Sequence, residues 1–535
     1  MAIYKNTVDV PQKTSIKKSG NHRYVYYIYE HYQTKNGNWS HRDKAIGRLN
    51  EEEPKTMFPN DHYFDLFNLP HPREKNVNKF LDSGHTHLLN ERAEELQLTK
   101  ALKEVFPEDY QKLLTTAFYM VCEGNVMMYL DDFYESSDLP FDCFVSEKHL
   151  NEVYQWISKE KIWEFFKTWI DLNKTKNDVV AYDVTSISTY SENLEFAQMG
   201  YNRDHEKLEQ INVGLLYSQK LNLPLCYELY DGSIPDKVHI GSMLNLAKEF
   251  GLSSVIFIMD RGFITSNNLD LLHGDGGIQF IIAFPSSQNI YEAILLNEAD
   301  HIRSAENYSV ELECYGHKKE VDIEGHRLYA CSYFNTEKAR DEEVIFGAKL
   351  KRDEEALTKS LGKKKRKKRL SYFNTEVENE ILKSYEKDLT AITESWKILG
   401  MFGILTNVEA LSWEEVLTLY RQRDRIEKNY DSMKNNIDFS RFRTHNDQST
   451  QGKFFIGFLA QILQADLCNH LGTESKKPVS STKKLLNEMR KVRKVNYNDR
   501  ETKLMAPLSR KQKDILTLFD MDEGDFVRTL FAKNK

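Results

Sequence analysis

One segment of the sequence carries polar side chains at spacings of three and four residues, namely Tyr420, Arg423, Glu427, Tyr430 and Lys434. In a helix, a turn of about 100° per residue places all five on one narrow stripe. A carboxylate with cations one and two turns away suits a metal ligand beside a phosphate backbone, which the cations would hold. An exposed helix stabilised by ion pairs has the same spacing, so the stripe needs support from elsewhere in the chain.

Two aspartates supply that support. Asp183 and Asp260 each end a short apolar run that is typical of a strand, residues 179–182 and 254–259. Ligands of an α/β sheet bind at the carboxyl ends of its strands, so the two side chains are predicted to converge. A lone aspartate at a strand end is usually a turn residue. Two of them, followed by the helix of Glu427, predict a shared site.

Three converging carboxylates repel one another unless a hard cation neutralises them, and Mg²⁺ prefers oxygen ligands. We therefore predict that Asp183, Asp260 and Glu427 are both the catalytic and the metal-binding residues. Two Mg²⁺ ions about 4 Å apart would activate an attacking water or 3′-OH and stabilise the leaving oxygen. Mn²⁺ is the expected substitute ion.

The elements around the aspartates follow one another in a recognisable order. Residues 178–284 show the pattern β-β-β-α-β-α-β, and a short turn at 218–222 makes the second and third strands a hairpin. The central strands are continuously apolar, as expected when both faces of a sheet are covered. This order predicts an α/β fold with an RNase H-like mixed sheet.

Changes of pattern divide the rest of the chain. A strong helix is expected to start at Ser412, which forms a capping-box pattern with Glu415. Trp396 is expected to pack in the core at the start of an apolar strand. The predicted parts are a β-rich DNA-binding element at 1–89, a helical domain at 90–175, the first part of the catalytic core at 176–285, a β-rich insertion at 286–406, the second part of the core at 407–470 and a basic C-terminal region at 471–535.

Composition narrows the class of protein. Of 535 residues, 40% are apolar and 12% aromatic, which is typical of a globular chain. No apolar run is long enough to span a bilayer, and the nearest, residues 454–463, is broken by Gly457 and Gln461 and is expected to form a core helix. The start shows no secretory signal, so a cytoplasmic protein without membrane contact is expected. The six cysteines form no CxxC or Cys/His cluster, which argues against a disulfide scaffold or a zinc site.

The charge is unevenly distributed. The net charge of −8 argues weakly against a nucleic-acid partner. However, residues 476–514 hold thirteen Lys and Arg against four Asp and Glu, and residues 363–369 are basic throughout. Basic blocks in an acidic chain suit an enzyme that binds both DNA and divalent metal, although solvated surface loops can have the same composition.

The segment from Tyr420 to Lys434 resembles the Y-x2-R-x3-E-x6-K signature of a large group of bacterial DDE insertion-sequence transposases. Tyr182-Asp-Val-Thr-Ser186 is similar to the first-acid motif of that group, and Ile258-Met-Asp-Arg-Gly-Phe263 is similar to the second. Gly200-Tyr-Asn-Arg-Asp-His205 is also similar to members. The resemblance covers roughly residues 90–470 in order, and residues 1–60 resemble the β-rich start of one branch.

The resemblance implies an enzyme that cuts and joins DNA at the terminal inverted repeats of its own insertion sequence. It assigns the metal ions to Asp183, Asp260 and Glu427, and implies double-stranded DNA as partner, both transposon ends and target. Synapsis of two ends implies a homodimer. The place of action would be the bacterial cytoplasm, on the nucleoid when the enzyme is bound to DNA.

The resemblance also implies that Tyr420, Arg423 and Lys434 contact the phosphates of the transposon ends. Arg261 directly follows the second acid, so it is a further candidate DNA contact, although a structural ion pair would explain it equally well. The long gap between Asp260 and Glu427 resembles the family's β-rich insertion, which in relatives can help to form a hairpin at the cleaved end and stack a flipped base.

Two alternatives stay open at this point. An RNase H-like nuclease that cuts DNA without joining it would use the same three acids. A catalytically silent DNA-binding repressor would not need three convergent carboxylates, so the intact triad argues against it.

Overall fold

The computed structural model describes most of the chain as two compact units. The described residues are 3–4, 6–33, 38–69, 79–173, 179–191, 193–202, 206–252, 255–273, 278–285, 289–363, 371–472, 477–497, 500–504 and 506–531. The smaller unit comprises Met1–Phe80 with Val495–Lys503, and the larger comprises Leu81–Lys494 with Leu504–Lys535. None of the helices within these ranges combines the length and the apolar character needed to cross a membrane.

The smaller unit is built around an antiparallel sheet. Its elements are β1 (Val8–Asp9), β2 (Thr14–Ser19), β3 (His22–Gln33), β4 (Trp39–Leu49), β5 (Thr56–Pro59) and α1 (Asp61–Leu66). The strand order is β1-β5-β4-β3-β2. Val25, Ile46, Leu49 and Met57 form a small core on one face of this sheet, together with Tyr63 of α1. The other face carries polar and aromatic side chains.

A helical part follows in sequence. Its elements are β6 (Lys79–Asp82), α2 (Gly84–Glu95), α3 (Leu98–Val105), α4 (Tyr110–Glu123), α5 (Leu130–Ser136), α6 (Glu147–Trp156) and α7 (Lys159–Asn173). Helices α2 to α7 share one hydrophobic core with the sheet described next. The part predicted as a helical domain is therefore helical, but it belongs to the same compact unit as the sheet.

The central sheet of the larger unit confirms the predicted order of elements. These are β7 (Val179–Thr189), β8 (Gln210–Ser218), β9 (Leu223–Asp231), α8 (Asp236–Glu249), β10 (Ile256–Met259), a 3-10 helix (Arg261–Phe263), α9 (Ser266–His273) and β11 (Gln279–Ala283). The strands lie in the order β9-β8-β7-β10-β11. Strands β7, β10 and β11 are parallel, whereas β8 and β9 form the predicted antiparallel hairpin. This is the RNase H-like arrangement.

The insertion extends this sheet. Its elements are α10 (Asn289–Ala299), β12 (Tyr308–Ser309), β13 (Cys314–Ile323), β14 (His326–Phe334), α11 (Thr336–Ser360), β15 (Phe373–Glu378), β16 (Ile381–Lys387), α12 (Leu389–Lys397) and β17 (Met401–Thr406). Strand β17 pairs antiparallel with β11, and β14, β13 and β12 follow outward, while β15 and β16 form a separate hairpin. The insertion is mixed α/β rather than β-rich, since α11 alone has 25 residues.

Two features of the insertion differ from the sequence prediction. Helix α11 buries only Ala339, Phe346 and Leu357, so its charged sequence lacks the apolar periodicity that predicts a helix. The predicted strand from residue 397 starts only at Met401. The preceding residues form α12, capped by the Asp388 side chain, which accepts a hydrogen bond from the N–H of Ala391 at 3.0 Å.

Trp396 accordingly lies on a helix and not at the start of a strand. Its side chain is 43% exposed and meets the ring of Phe346 edge-on at 5.8 Å. The expectation that Trp396 packs in the core is wrong, because the Asp388 cap turns this segment into a surface helix. Of the basic run at 363–369, residues 364–369 lie outside the described ranges.

The C-terminal part belongs to the larger unit except for residues 495–503, which belong to the smaller unit. Its elements are α13 (Trp413–Arg421), α14 (Asp424–Asn435), β18 (Arg441–Phe442), α15 (Asp447–Leu471), α16 (Thr482–Arg490), β19 (Arg493–Tyr497), β20 (Arg500–Leu504), α17 (Arg510–Leu518) and α18 (Glu523–Phe531). Strand β18 pairs in parallel with the end of β7. Residues 454–463 belong to α15, a largely buried helix that contacts α4, α6 and β9, so the predicted core helix is confirmed.

Candidate functional site

Asp183 and Asp260 lie side by side on neighbouring parallel strands. Strands β7 and β10 pair with Ala181 opposite Ile258, and each aspartate follows two residues later. Residues two positions beyond a matched pair lie on the same face at the same level, so the two carboxylates converge. Asp183 is only 4% exposed, whereas Asp260 is half-buried at the edge of a cavity.

The two aspartates differ in their place on the strand. The prediction that Asp183 ends its strand is wrong, since β7 continues to Thr189 because its second half pairs with β8 and, at its end, with β18. Asp260 does end β10. Its Oδ1 accepts a hydrogen bond from the N–H of Arg261 at 2.8 Å and so caps the following 3-10 helix.

The helix that carries Glu427 is interrupted. The Ser412–Glu415 capping box is present, as predicted, but α13 ends at Arg421 and α14 begins at Asp424. Across this break the N–H of Arg423 donates to the Tyr420 carbonyl, a three-residue step that tightens the turn. The prediction of one continuous helix is therefore wrong at this turn.

The turn is fixed to the strand that carries Asp183. Gln219, in the β8–β9 hairpin, donates its N–H to the Val179 carbonyl of β7 at 2.8 Å. The guanidinium of Arg425 donates to the Gln219 carbonyl at 2.7 Å. Gln219 therefore holds the start of α14 in place relative to the first aspartate. Sequence reasoning missed it, because a hairpin glutamine has no pattern that indicates this role.

Arg423 and Glu427 form an ion pair on the resulting surface. The Arg423 Nη2 lies 2.6 Å from Glu427 Oε1, with the arginine side chain 13% and the glutamate side chain 49% exposed. The guanidinium lies 5.6 Å from the centre of the Tyr420 ring. The Nε–H of Arg423 is buried, and in the described structure it has no hydrogen-bond partner. Arg423 thus has donor capacity that Glu427 does not use.

All three predicted acids affect the pKa of the Arg423 guanidinium. Burial lowers the pKa of its guanidinium, but Tyr420, Asp260, Glu427 and Asp183 outweigh burial, so that the pKa is raised. The pKa of Tyr420 is raised to about 12 by burial, against the effect of Arg423 and with that of Asp260 and Glu427. All three predicted acids therefore lie close enough to Arg423 to favour its charged form.

Tyr430, a member of the predicted polar stripe, is buried against the sheet. It is 5% exposed, and its hydroxyl lies 2.8 Å from the Asp183 carbonyl oxygen and 3.1 Å from that of Val213. The hydroxyl therefore attaches α14 to β7 and β8 at the residue that bears the first carboxylate. Ile426 and Met433 of the same helix are also buried.

A large cavity opens at Asp260. It has a volume of about 1240 Å³, and its wall includes Asp260, Arg261, Tyr420 and Arg423. Four of the sequence-predicted site residues therefore share one cavity, which also extends along the insertion.

The insertion contributes basic and aromatic side chains to this cavity that were not predicted. Lys338, Glu342, Phe346 and Lys349 of α11 line it at spacings of four, four and three residues. Lys349 lies over the ring of Tyr372, its Nζ 4.9 Å from the ring centre. The helical spacing would have indicated this stripe had α11 itself been predicted.

Lys434 lies away from the cavity, seven residues beyond Glu427 on α14, a rise of about 10 Å. Its neighbours include Glu206, whose carboxylate accepts a hydrogen bond from Ser188 and pairs with Arg441. The Ser188 hydrogen bond, followed by Arg441 and Lys434, lowers the pKa of Glu206. Of the motif Gly200–His205, residues 203–205 lie outside the described part of the chain.

The three acids fit divalent metal by their chemistry, since they offer oxygen ligands only, with one carboxylate buried in the sheet. They are not drawn together into a finished site, because the Glu427 carboxylate is turned to Arg423. Among the described residues, no three His, Cys, Asp or Glu side chains are close enough together to hold a metal ion. Glu427 would have to leave Arg423 in order to join the aspartates.

Residues 174–463 match the family model described as the transposase DDE domain. The matched range includes all three predicted acids and the interrupted helix. No curated protein matches the chain.

Some solved structures are similar in part. The piggyBac transposase synaptic complex with hairpin DNA is 12% identical over 70% of this chain and 68% of that chain, with a TM-score of 0.37. The Mos1 mariner paired-end complex with Mn is 13% identical over 28% and 46%, with a TM-score of 0.14. The Drosophila P element transposase strand transfer complex is 12% identical over 82% and 86%, with a TM-score of 0.19.

Proposed function

The chain belongs to the DDE transposase family, whose members cut and join DNA with divalent metal ions, and from that premise we propose that Asp183, Asp260 and Glu427 hold two Mg²⁺ ions at its active site. Mn²⁺ would substitute for Mg²⁺. The proposed reaction is cut-and-paste transposition at the terminal inverted repeats of the chain's own element.

The main support for this proposal is the register of β7 and β10, in which Asp183 lies beside Asp260. Arg423 supports the inclusion of Glu427, because all three acids raise the pKa of its guanidinium. A cation already compensates these carboxylates, as metal ions would. Bound divalent ions would polarise the scissile phosphate, activate water or a 3′-OH, and stabilise the leaving oxygen.

Arg423, Tyr420 and Arg261 would hold DNA phosphates at the cavity of Asp260. The buried Nε–H of Arg423 supports this role, since a buried donor without a partner is costly and a phosphate oxygen would satisfy it. Lys434 would contact the backbone farther along α14. The lysines of α11 would hold DNA on the insertion side of the cavity.

Glu427 would change partners when DNA binds. In the free protein its carboxylate pairs with Arg423. A phosphate on Arg423 would replace that carboxylate and leave Glu427 free to turn toward the two aspartates. Metal binding and DNA binding would then reinforce each other, because both require the same ion pair to open.

Two protomers would act together, because two transposon ends must be brought to one synaptic complex. The place of action would be the cytoplasm of a bacterium, on the nucleoid when the enzyme is bound to DNA. The basic C-terminal region would add contacts to DNA outside the catalytic site.

A joining assay tests the proposal. Purified protein, Mg²⁺ and a precut duplex carrying one end of the DNA that flanks the gene are incubated with supercoiled plasmid. Joined product is expected. Cleavage of uncut ends without any joined product would instead favour a nuclease, and tight binding with neither product would favour a repressor.

A further inference from the structure

The long hairpin of the smaller unit projects beyond its sheet. Strand β2 pairs with β3 only as far as Tyr27, and β5 pairs with β4 only at residues 47–49. Past these points β3 and β4 pair with each other alone, up to the pair formed by Gln33 and Trp39. Among the described residues, 29–33 and 39–42 therefore form a stretch of two strands about 16 Å long, which we call the ribbon.

The ribbon exposes large aromatic side chains. Trp39 is 74% exposed, Tyr29 51% and Tyr32 39%. They lie beyond the core of the unit, which is centred on Val25 and Ile46. Packing within the unit therefore does not explain them, and exposed aromatic side chains grouped in this way mark an interaction surface.

The two faces of the ribbon differ. His31 and His41 are opposite each other, with ring centres 6.0 Å apart, and the register puts Trp39 on the same face. On the reverse face Arg42 pairs with Glu30 at 3.0 Å and lies over the ring of Tyr32. One face thus offers imidazole and indole groups, which can bond to base edges or pack on thymine methyl groups.

The strands that carry the ribbon are rich in positively charged residues. Residues 12–49 hold eight Lys and Arg against two Asp and Glu, a local net charge of +6 in a chain of net charge −8. The acidic run Glu51–Glu53 follows the other end of β4, away from Trp39. Lys18 and Arg23 lie near that acidic end, where Arg23 pairs with Glu51, whereas Lys13 and Lys44 lie at the base of the ribbon. The sheet that carries the ribbon is therefore positive as a whole, which fits a polyanionic partner.

We propose that the ribbon enters the major groove of duplex DNA and reads its sequence through His31, Trp39 and His41. A major groove about 12 Å wide and 8.5 Å deep admits a two-stranded β-ribbon, and the length of this one exceeds that depth. Two lysines at the base of the ribbon, Lys13 and Lys44, flank Tyr27 and Ile28 and would contact the phosphates of the groove walls. The ribbon supplies the choice of sequence, and these cations supply salt-dependent affinity.

This inference rests on the proposed function only in taking the ends of the element as the DNA that is read. Its test uses the full chain in EDTA, so that binding is measured without cleavage. Fluorescein-labelled duplexes carrying the DNA that flanks the gene on each side are compared with scrambled duplexes of equal length. The proteins are wild type, the triple variant His31→Ala/Trp39→Ala/His41→Ala, and Ile16→Ala, a control in the same sheet that is 51% exposed.

The triple variant is expected to bind the flanking duplex at least about tenfold more weakly than wild type, since each base contact contributes discrimination. Its affinity for the scrambled duplex and its salt slope should stay unchanged, because the phosphate contacts remain. Ile16→Ala should bind as wild type does. Equal loss on both duplexes, or no loss, would overturn the proposal.

Dimethyl sulfate interference adds an independent reading of the groove. Guanine N7 lies in the major groove. Methylation of a cluster of guanines in the bound segment should therefore block binding of the wild type but not of the triple variant. Identical interference patterns would contradict the proposal. A changed oligomeric mass of the triple variant together with unchanged DNA binding would also contradict the proposal. That result would identify the ribbon as a protein–protein surface.

Discussion

Arg423 and Glu427 lie one helical turn apart, with Arg423 Nη2 2.6 Å from Glu427 Oε1. The same arginine responds to the charges of Asp183 and Asp260 on the sheet. Glu427 therefore has to exchange this arginine for metal if it is to join the two aspartates.

That exchange predicts how metal affinity responds to Arg423→Gln. Removing the guanidinium frees Glu427 and removes a competing positive charge, so Mn²⁺ should bind the DNA-free protein about two- to fivefold more tightly, in line with a part-exposed ion pair. Electron paramagnetic resonance of free Mn²⁺ measures this without any reaction. Glu427→Gln should weaken Mn²⁺ binding instead, and equal affinities in all three proteins would contradict the exchange.

The three acids are expected to be individually essential for cleavage. Asp183→Asn, Asp260→Asn or Glu427→Gln should lower the cleavage rate about a thousandfold, equivalent to about 4 kcal/mol. DNA binding should persist, because the phosphate contacts remain. Asp431→Asn, an exposed acid on α14, serves as the matched control. Normal cleavage by one of the three variants would remove that residue from the site.

Tyr430→Phe should destabilise the fold and distort the site together. The lost hydroxyl leaves buried carbonyl oxygens of Asp183 and Val213 without this donor, at a cost of about 1–2 kcal/mol in the free energy of unfolding. Urea denaturation measures the stability, and cleavage is assayed in parallel. Tyr308→Phe, a tyrosine 44% exposed, should change neither. A fully stable Tyr430→Phe protein would show that the hydroxyl does not hold α14 in place.

Lys434→Ala should weaken DNA binding on every sequence alike. Loss of one phosphate contact should reduce the slope of log K against log salt by about 0.9. Fluorescence anisotropy at several salt concentrations gives the slope. Lys428→Ala, at an exposed position on the same helix, is the control. If the two variants have the same slope, Lys434 is not a DNA contact.

Lys453 predicts a pH dependence of stability. Burial within α15, helped by Arg443 and opposed by Asp438, lowers the pKa of its ammonium to about 8. Between pH 8 and the unfolded value of about 10.4, the unfolded chain binds more protons, so this group makes the free energy of unfolding rise with pH.

Lys453→Met should therefore raise the free energy of unfolding at pH 7 by at most about 3 kcal/mol and flatten its rise above pH 8. Urea titrations at several pH values measure both effects. Lys428→Met is the exposed control. An unchanged pH profile would mean that Lys453 is not the group responsible.

The sequence predicted the parts of the fold that have strong periodicity. The apolar strands of the sheet, the Ser412 cap and the buried helix at 454–463 were confirmed because each is specified by local pattern. The break at Arg423 was not predictable, since it depends on hydrogen bonds around Gln219, which is distant in sequence. The role of Tyr430 likewise depends on a carbonyl of β7 that spacing on a helix does not reveal.

The insertion illustrates the same limit. The insertion was expected to divide the catalytic core along the sequence, and no local pattern indicated that its last strand, β17, would continue the catalytic sheet next to β11. Which edge a strand joins depends on long-range pairing rather than on its own residues. Helix α11 escaped prediction because its charged surface hides the periodicity, although its stripe at the cavity is regular.

The pairing of β17 with β11 also bears on synthesis of the chain. On the ribosome, β11 emerges long before β17, so its outer edge stays unpaired while the whole insertion is translated. Glu427 emerges later still. A nascent or prematurely truncated chain can therefore present both aspartates without Glu427, and such a chain would lack the third acid of the proposed metal site.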